Sequence, residues 1–152
     1  MPIISADVAA QVRRLFGGFT GDVSIDHYTR KPSKLVVPGR PADSPYAEET
    51  LKLLTELAEL SDKIHLTVHD VANEPDVLQQ QGLHGVPATV LSSDHAAGRL
   101  RYYGIPAGHE FSTLIQQLVS LSTGDTGLAD KTVSDLQNIE RDVHIQVFVT
   151  PT

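Results

Sequence analysis

The fold is decided by one stretch of sequence, which reads Asp43-Ser44-Pro45-Tyr46-Ala47 and continues as a leucine-rich segment to residue 63. The apolar side chains of this segment recur at helical spacing and cover a broad face: Leu51, Leu53, Leu54, Leu57, Ala58 and Leu60. An apolar face of this width is typical of a helix that packs on a β-sheet. The stretch therefore predicts a helix that begins near residue 44 and lies against a sheet.

The start of this helix favours a structural role for Ser44. A serine at the N-cap accepts a backbone N–H, and proline, here Pro45, is favoured at the first helical position. Acidic residues such as Glu48 and Glu49 are stabilised near the positive end of the helix dipole. As a nucleophile, Ser44 would be weak, because a serine hydroxyl ionises far less readily than a thiol. It also forms no mixed disulfide. We therefore expect Ser44 to cap the helix and not to catalyse.

Composition and charge bound the class of the protein. A chain of 152 residues, 40% hydrophobic and 20% charged, is long enough for one domain with a substantial core. The formal net charge is −7, and the pairs Arg13 with Arg14 and Arg99 with Arg101 are too sparse for the basic face that phosphate contacts need. We expect no nucleic-acid partner.

The sequence also bears on compartment. No apolar run approaches the length of a membrane span, and the N-terminus lacks the apolar core of a signal peptide. The chain contains no cysteine, which excludes a disulfide framework. We expect a cytoplasmic protein with no membrane partner and no thiol chemistry of its own.

Helical and strand-like periodicities alternate along the chain. The expected helices cover residues 6–16, 44–60, 73–81 and 108–122. The expected strands cover residues 22–29, 64–69, 88–92 and 99–103, and the last two form a hairpin. Residues 30–43 read as a proline-rich insert. The resulting order, α-β-α-β-α-β-β-α, predicts an α/β fold with a four-stranded mixed sheet flanked by helices.

The first and last of these helices carry apolar stripes. In the first, Ser5 is the expected N-cap, and Val8, Val12 and Leu15 are expected to face the core. In the last, the expected inward residues are Phe111, Leu114, Ile115, Leu118 and Val119.

The final thirty residues predict a separate piece. Residues 123–130 are small and polar and predict a linker, whereas residues 132–139 and 143–149 predict a helix and a strand. An apolar strand without a partner is an aggregation hazard and must be covered. We expect either a homodimer through this strand or its addition to the chain's own sheet, with Phe148 buried in both cases.

The seven histidines do not predict a metal site. His65 and His69 share one side of a strand, but four residues of extended chain separate them by roughly 13 Å, too far for two ligands of one ion. We expect both on a polar, open face of the sheet. His109 falls in the first turn of a helix, where a neutral imidazole is expected. The sequence predicts no metal and no cofactor.

Several stretches resemble known families. Residues 85–89 read Gly-Val-Pro-Ala-Thr and look like the loop that holds the cis-proline of thioredoxin folds. Residues 101–111 and 147–152 resemble the two-unit glutaredoxin-like protein disulfide oxidoreductases of archaea and bacteria. Residues 59–63 and 108–111 are also similar to the N-terminal units of alkyl hydroperoxide reductase flavoproteins. The resemblance implies a thioredoxin fold.

The resemblance further implies a domain division. Residues 1–122 would form a thioredoxin-like unit that lacks redox cysteines, followed by a linker at 123–130. Residues 131–152 would then correspond to the start of a second thioredoxin unit that is incomplete in this chain. In the family, a sequence like that of residues 147–152 runs directly into the Cys-Pro-Tyr-Cys of the second unit.

The family's functional positions fall on residues of different chemistry here. Its attacking and resolving cysteines correspond to Ser44 and Ala47, and its cis-proline corresponds to Pro87. The resemblance therefore implies no catalytic residue in this chain. It does imply a groove at Tyr46, Val86 and Pro87 that pairs with an extended peptide. The alternative is that Pro87 only shapes a turn, because a cis X-Pro bond costs little and can be a requirement of the fold.

Functions of different classes follow from the resemblance. The first is a redox-inactive scaffold or docking module that meets a protein partner or a second thioredoxin unit. The second is enzymatic: part of a thiol–disulfide oxidoreductase or peroxide-reductase system whose active cysteines lie in a missing second unit or were replaced at Ser44 and Ala47. A third is an adaptor that serves a separate flavin domain, as in the hydroperoxide reductase flavoprotein.

Overall fold

The computed structural model describes residues 2–30, 46–74, 76–96 and 98–149. Its helices are α1 Ala6–Phe16, α2 Ala47–Ala58, α3 Val77–Gln81, α4 His109–Thr123 and α5 Asp130–Gln137. Its strands are β1 Val23–Thr29, β2 Ile64–Asp70, β3 Ala88–Ser93 and β4 Leu100–Tyr103. The predicted order of elements up to α4 is confirmed, and the expected insert lies outside the described residues except for Arg30.

The strands form one mixed sheet in the order β2-β1-β3-β4. β1 runs parallel to β2 and antiparallel to β3, and β3 runs antiparallel to β4. The predicted four-stranded mixed sheet and the β3–β4 hairpin are confirmed. In this order β2 and β4 are the edge strands, and side chains alternate between the two faces of the sheet.

One face of the sheet, the helix face, carries the main core. It packs Val23 and Ile25 of β1 against Leu54 of α2 and Leu114 and Leu118 of α4. These five side chains are fully buried, with exposed fractions of 0%. Burying a side chain of this size stabilises the fold by about 1.5–3 kcal/mol. The broad apolar face predicted for α2 is confirmed, and it packs as expected.

The other face, the open face, is covered only in part. A second cluster of buried residues lies there, formed by Tyr28, Val71, Val77, Leu83, Ala88 and Val90. Val77 belongs to α3, which the left-handed Gly82 terminates with φ +63°. Thus α3 covers the open face beside β3, while polar side chains of β1 and β2 remain accessible on the rest of that face.

The prediction for α1 is correct in its bounds and wrong in part of its stripe. Ser5 is the N-cap, and its side chain accepts the N–H of Val8. Val8 and Leu15 are 36% and 54% exposed, whereas Val12 and Phe16 are buried. The stripe is shifted because the ring of Phe16 packs on that of Phe19, with 4.6 Å between ring centroids, and the helix turns this larger surface inward.

The start of α2 also differs from the prediction. The helix begins at Ala47, with Tyr46 at the N-cap and no side-chain cap hydrogen bond. Both the N–H and the hydroxyl of Thr50 donate to the carbonyl of Tyr46, which fixes the first turn there. The expected cap Ser44 and the expected first residue Pro45 lie outside the described residues. Glu48 and Glu49 occupy the first turn as predicted.

The prediction of a strand at 143–149 is wrong. These residues adopt no regular structure, and none of them joins the sheet. Ile145 is 79% exposed and Phe148 is 88% exposed, so the expected addition of this segment to the chain's own sheet is wrong, and burial of Phe148 in a homodimer stays a prediction. A β-prone sequence becomes a strand only when an edge pairs with it, and this segment pairs with neither β2 nor β4, the edge strands of the described sheet.

The edge position of β2 modifies another prediction. The strict alternation expected for 64–69 holds from Ile64, which is buried, to Leu66, which is half-buried. Val68 is 43% exposed because the strand lies at the edge of the sheet.

Among the helices of the described ranges, none is both long enough and apolar enough to span a bilayer.

Candidate functional site

The loop before β3 is tied firmly to the fold. The peptide bond between Val86 and Pro87 is cis. Pro87 is buried, and its carbonyl accepts the N–H of Gly104 at 3.0 Å. Gly104 follows β4 directly and adopts φ +83°, a conformation that favours glycine. The end of β4 thus holds the loop in place beside the first residue of β3.

Val86 presents a stretch of backbone at this loop that forms no backbone hydrogen bond within the described ranges. Its side chain is half-buried, and within the described ranges neither its N–H nor its C=O bonds to another backbone group outside the regular elements. It lies just before β3 and so belongs to no ladder of the sheet. Backbone polar groups need hydrogen-bond partners, so the N–H and C=O of Val86 are able to bond to the backbone of an added peptide segment.

The N-terminus of α2 supplies the other half of the predicted site. Tyr46 is 52% exposed, and Ala47, which the resemblance aligns with the family's resolving cysteine, is buried. A methyl group packed there offers neither a nucleophile nor a hydrogen-bond donor. Ser44 lies outside the described residues, and the joint groove of Tyr46, Val86 and Pro87 stays a prediction.

Sequence reasoning missed a buried histidine near this loop. His27 of β1 is fully buried, and its Nδ1 lies 3.0 Å from the hydroxyl oxygen of Thr89, two residues after Pro87. Its Nε2 has no hydrogen-bond partner among the described residues. Burial lowers the pKa of His27 to about 4, opposed by a hydrogen bond with the backbone of Ala88. Val23, Ile25 and His27 alternate along β1, and this spacing is the sequence signal that places the side chain of His27 on the helix face.

The other strand histidines pair with carboxylates on the open face. His65 Nε2 lies 3.3 Å from Asp22 Oδ2, and His69 Nε2 lies 3.0 Å from Asp26 Oδ1. The ring of His69 also stacks on Tyr28, with 4.5 Å between centroids. The prediction that both histidines lie on the polar face is confirmed. In the described part of the chain, no group of three acidic, histidine or cysteine side chains is placed to hold a metal ion.

A second surface lies where α3 meets β4, and we call it the β4 patch: Gln81, His84, Arg99, Arg101 and Tyr103. The two guanidinium groups both donate to Gln81, Arg99 to its side-chain oxygen and Arg101 to its backbone carbonyl. The ring of His84 stacks on that of Tyr103, with 6.3 Å between centroids. Sequence reasoning alone treats the two arginines as too sparse for a basic face and does not find this surface.

Comparisons with known proteins find sequences similar to this chain. No family model matches the sequence. The chain is 30% identical over 106 residues to the F component of alkyl hydroperoxide reductase from Xanthomonas campestris pv. phaseoli. It is 21% identical over 150 residues to the protein of the same name from Staphylococcus aureus strain Mu50. The matches cover 70% and 99% of this chain but only 18% and 25% of those relatives.

Solved structures show the same fold. The NTD_N/C domain of alkylhydroperoxide reductase AhpF from Enterococcus faecalis superposes with a TM-score of 0.69 at 22% identity, covering 87% of this chain and 59% of that one. A protein disulfide oxidoreductase from Aeropyrum pernix superposes with a TM-score of 0.71 at 22% identity, covering 89% of this chain and 55% of that one. The chain has a thioredoxin-like fold, and the predicted resemblance to both groups of proteins is confirmed.

Proposed function

We propose that this chain is a redox-inactive thioredoxin-fold module that docks other proteins and performs no thiol chemistry itself. The observation that carries the proposal is the coexistence of two features. The cis-Pro87 loop is buried and tied to Gly104, while the chain contains no cysteine with which to react. In this proposal the loop keeps the peptide-binding role that it has in the family the chain resembles, without the thiols that accompany it there.

The docking groove we propose consists of Tyr46, Val86 and Pro87. The backbone groups of Val86, which bond to no other backbone group among the described residues outside the regular elements, would pair with an extended segment of the partner, as one strand pairs with another. The half-exposed ring of Tyr46 would cover that segment from the side of α2. Buried Pro87 positions Val86 and makes no contact of its own in this scheme.

The exposed apolar side chains near the C-terminus favour a partner that extends the fold. We propose that residues 123–130 act as a linker and that residues 131–152 belong with a second thioredoxin unit. Leu136 and Ile139 of this part are about half exposed, and Ile145 and Phe148 are largely exposed. Apolar surface of this extent marks an interaction site, either with such a unit or in a homodimer through the segment at 143–149.

A second candidate function is enzymatic. The chain spans 18% and 25% of the length of the two curated relatives, which are named as components of a peroxide reductase. In this proposal the present fold is one part of a thiol–disulfide oxidoreductase or peroxide-reductase system, and the active cysteines lie in a second unit. The docking role of the groove is common to both candidates.

Two assays test the proposal. The chain, with dithiothreitol as reductant, should not accelerate the reduction of insulin disulfides above the buffer rate, and acceleration would contradict it. For docking, fluorescence anisotropy with a reduced and carboxymethylated unfolded polypeptide should give a dissociation constant that Tyr46→Ala raises about fivefold. Val8→Ala, which trims an exposed side chain on α1, is the matched control and should leave that constant unchanged. Equal affinities of the two variants would remove Tyr46 from the site.

A further inference from the structure

The β4 patch concentrates positive charge in an acidic protein. The chain carries a formal net charge of −7, yet Arg99 and Arg101 both reach the same residue, Gln81. Within the described ranges, neither arginine forms a salt bridge, and both guanidinium groups bond to the neutral Gln81 instead. An arginine without an acidic partner favours planar carboxylate groups, which it binds through paired N–H donors.

Arg101 and Tyr103 lie on the edge strand β4, and Arg99 directly precedes it. β4 pairs only with β3, so its other side presents backbone groups to solvent along the described sheet. In an antiparallel pair, the residues that do not bond to one neighbour point their N–H and C=O groups away from it. An extended peptide can therefore add to β4 as a fifth strand.

The spacing of the side chains specifies that peptide. Arg99, Arg101 and Tyr103 recur every second residue, and both arginines contact Gln81 on one side of the sheet. Tyr103 continues this row and is 48% exposed, with the ring of His84 stacked beside it. Side chains of a paired strand also recur every second residue on one face, about 6.8 Å apart. Carboxylates at positions i and i+2 of the peptide would then lie opposite the two arginines.

We propose that β4 and the β4 patch bind an extended acidic segment of a partner protein, with carboxylates two residues apart on the arginines and an apolar or ring side chain on Tyr103. This surface is separate from the Tyr46, Val86 and Pro87 groove, and the proposal holds whether or not that groove binds peptides. It commits the partner to a negatively charged, strand-forming sequence.

The test uses three synthetic peptides of ten residues. The first alternates glutamate with threonine and ends in tyrosine, the second has glutamine in place of glutamate, and the third places the same glutamates next to one another. We expect the first to bind at least tenfold tighter than the second and about threefold tighter than the third at 50 mM salt. Its affinity should fall as salt is raised. Equal binding of all three would overturn the proposal.

Variants locate the site on the protein. Arg99→Gln with Arg101→Gln should weaken the first peptide about tenfold. The matched control, Arg13→Gln with Arg14→Gln, removes the same charge from exposed positions on α1 and should change its affinity less than twofold. Equal weakening by the two pairs would show attraction to net charge alone and would contradict a site at β4. Protection of β4 amides from hydrogen exchange by the first peptide is expected, and its absence would contradict strand addition.

Discussion

Two regions of the molecule, residues 6–123 and residues 124–149, carry similar sequence patterns and have different structures. Both contain a helix with an apolar stripe and a segment of alternating apolar residues. In the first region these become α2 and β1, with Leu54 and Ile25 fully buried in the same core cluster. In the second, α5 buries no residue and the alternating segment forms no strand.

This contrast shows what a pattern needs in order to become structure. Alternation and amphipathicity describe surfaces that are able to pack, but the free energy comes from the partner surface. β1 pairs with β2 on one side and with β3 on the other, whereas the segment at 143–149 pairs with no strand among the described residues. Mutations in the two regions should therefore differ in their effects, most of all where side chains are truncated.

Truncation of apolar side chains should separate the two regions most strongly. Leu54→Ala removes a fully buried side chain and should lower the free energy of unfolding by about 2–5 kcal/mol. Phe148→Ala removes a larger side chain that is 88% exposed and should change it by less than about 0.5 kcal/mol. Urea unfolding of both variants measures this. A loss well above that for Phe148→Ala would show that the C-terminal region packs on the core.

Acid should destabilise the first region through His27. Its pKa is about 4 in the folded protein and 6.5 as an ordinary histidine, so the unfolded chain binds the proton more readily. Stability should therefore fall as the pH drops from 6.5 to 4, by about 3 kcal/mol in total, and this contribution should be constant above 6.5. Urea unfolding of the wild type and His27→Gln, at neutral pH and at a pH near the folded pKa, measures it.

The control for the acid prediction is His144→Gln, which changes an exposed histidine in the second region. Its acid sensitivity should equal that of the wild type. The His27→Gln protein should lose less stability on acidification than the wild type does. If both variants lose as much as the wild type, then His27 is not the group that couples the fold to acid.

Helix caps give the smallest effect and the same contrast. Ser5→Ala removes the side-chain oxygen that accepts the N–H of Val8 and should cost about 1 kcal/mol of stability. Ala129 stands at the N-cap of α5 without a cap hydrogen bond. Ala129→Ser should increase the helical signal in circular dichroism but leave the midpoint of urea unfolding unchanged, because α5 is not packed on the core. A shift in the midpoint of urea unfolding would show that α5 does pack on the core.

The same contrast explains how much of the fold is predictable from the sequence. The order of elements, the mixed sheet and the broad face of α2 are predictable, because hydrophobic periodicity reports directly on burial. The start of α2 is misplaced because cap preferences of Ser44 and Pro45 are local, whereas Thr50 fixes the first turn at Tyr46. The strand prediction at 143–149 is wrong because pattern alone does not report a partner.

The sites are less predictable than the fold. Pro87 is found because its loop resembles a known one, but its tie to Gly104 joins residues that only the hairpin brings together. The β4 patch is missed because its arginines, Gln81 and His84 come from two elements separated in sequence. Surfaces assembled from several elements depend on register, which composition does not report.

The proposed function depends on whether the cis-proline loop still binds an extended chain in the absence of thiols. A titration of the ¹⁵N-labelled protein with a reduced and carboxymethylated unfolded polypeptide, followed by amide chemical shifts, measures this directly. We expect the amides of Val86 and Tyr46 to shift together and to saturate with one dissociation constant, while those of α1 stay fixed. Binding that leaves the Val86 amide unshifted, or no binding at all, would contradict the proposed function.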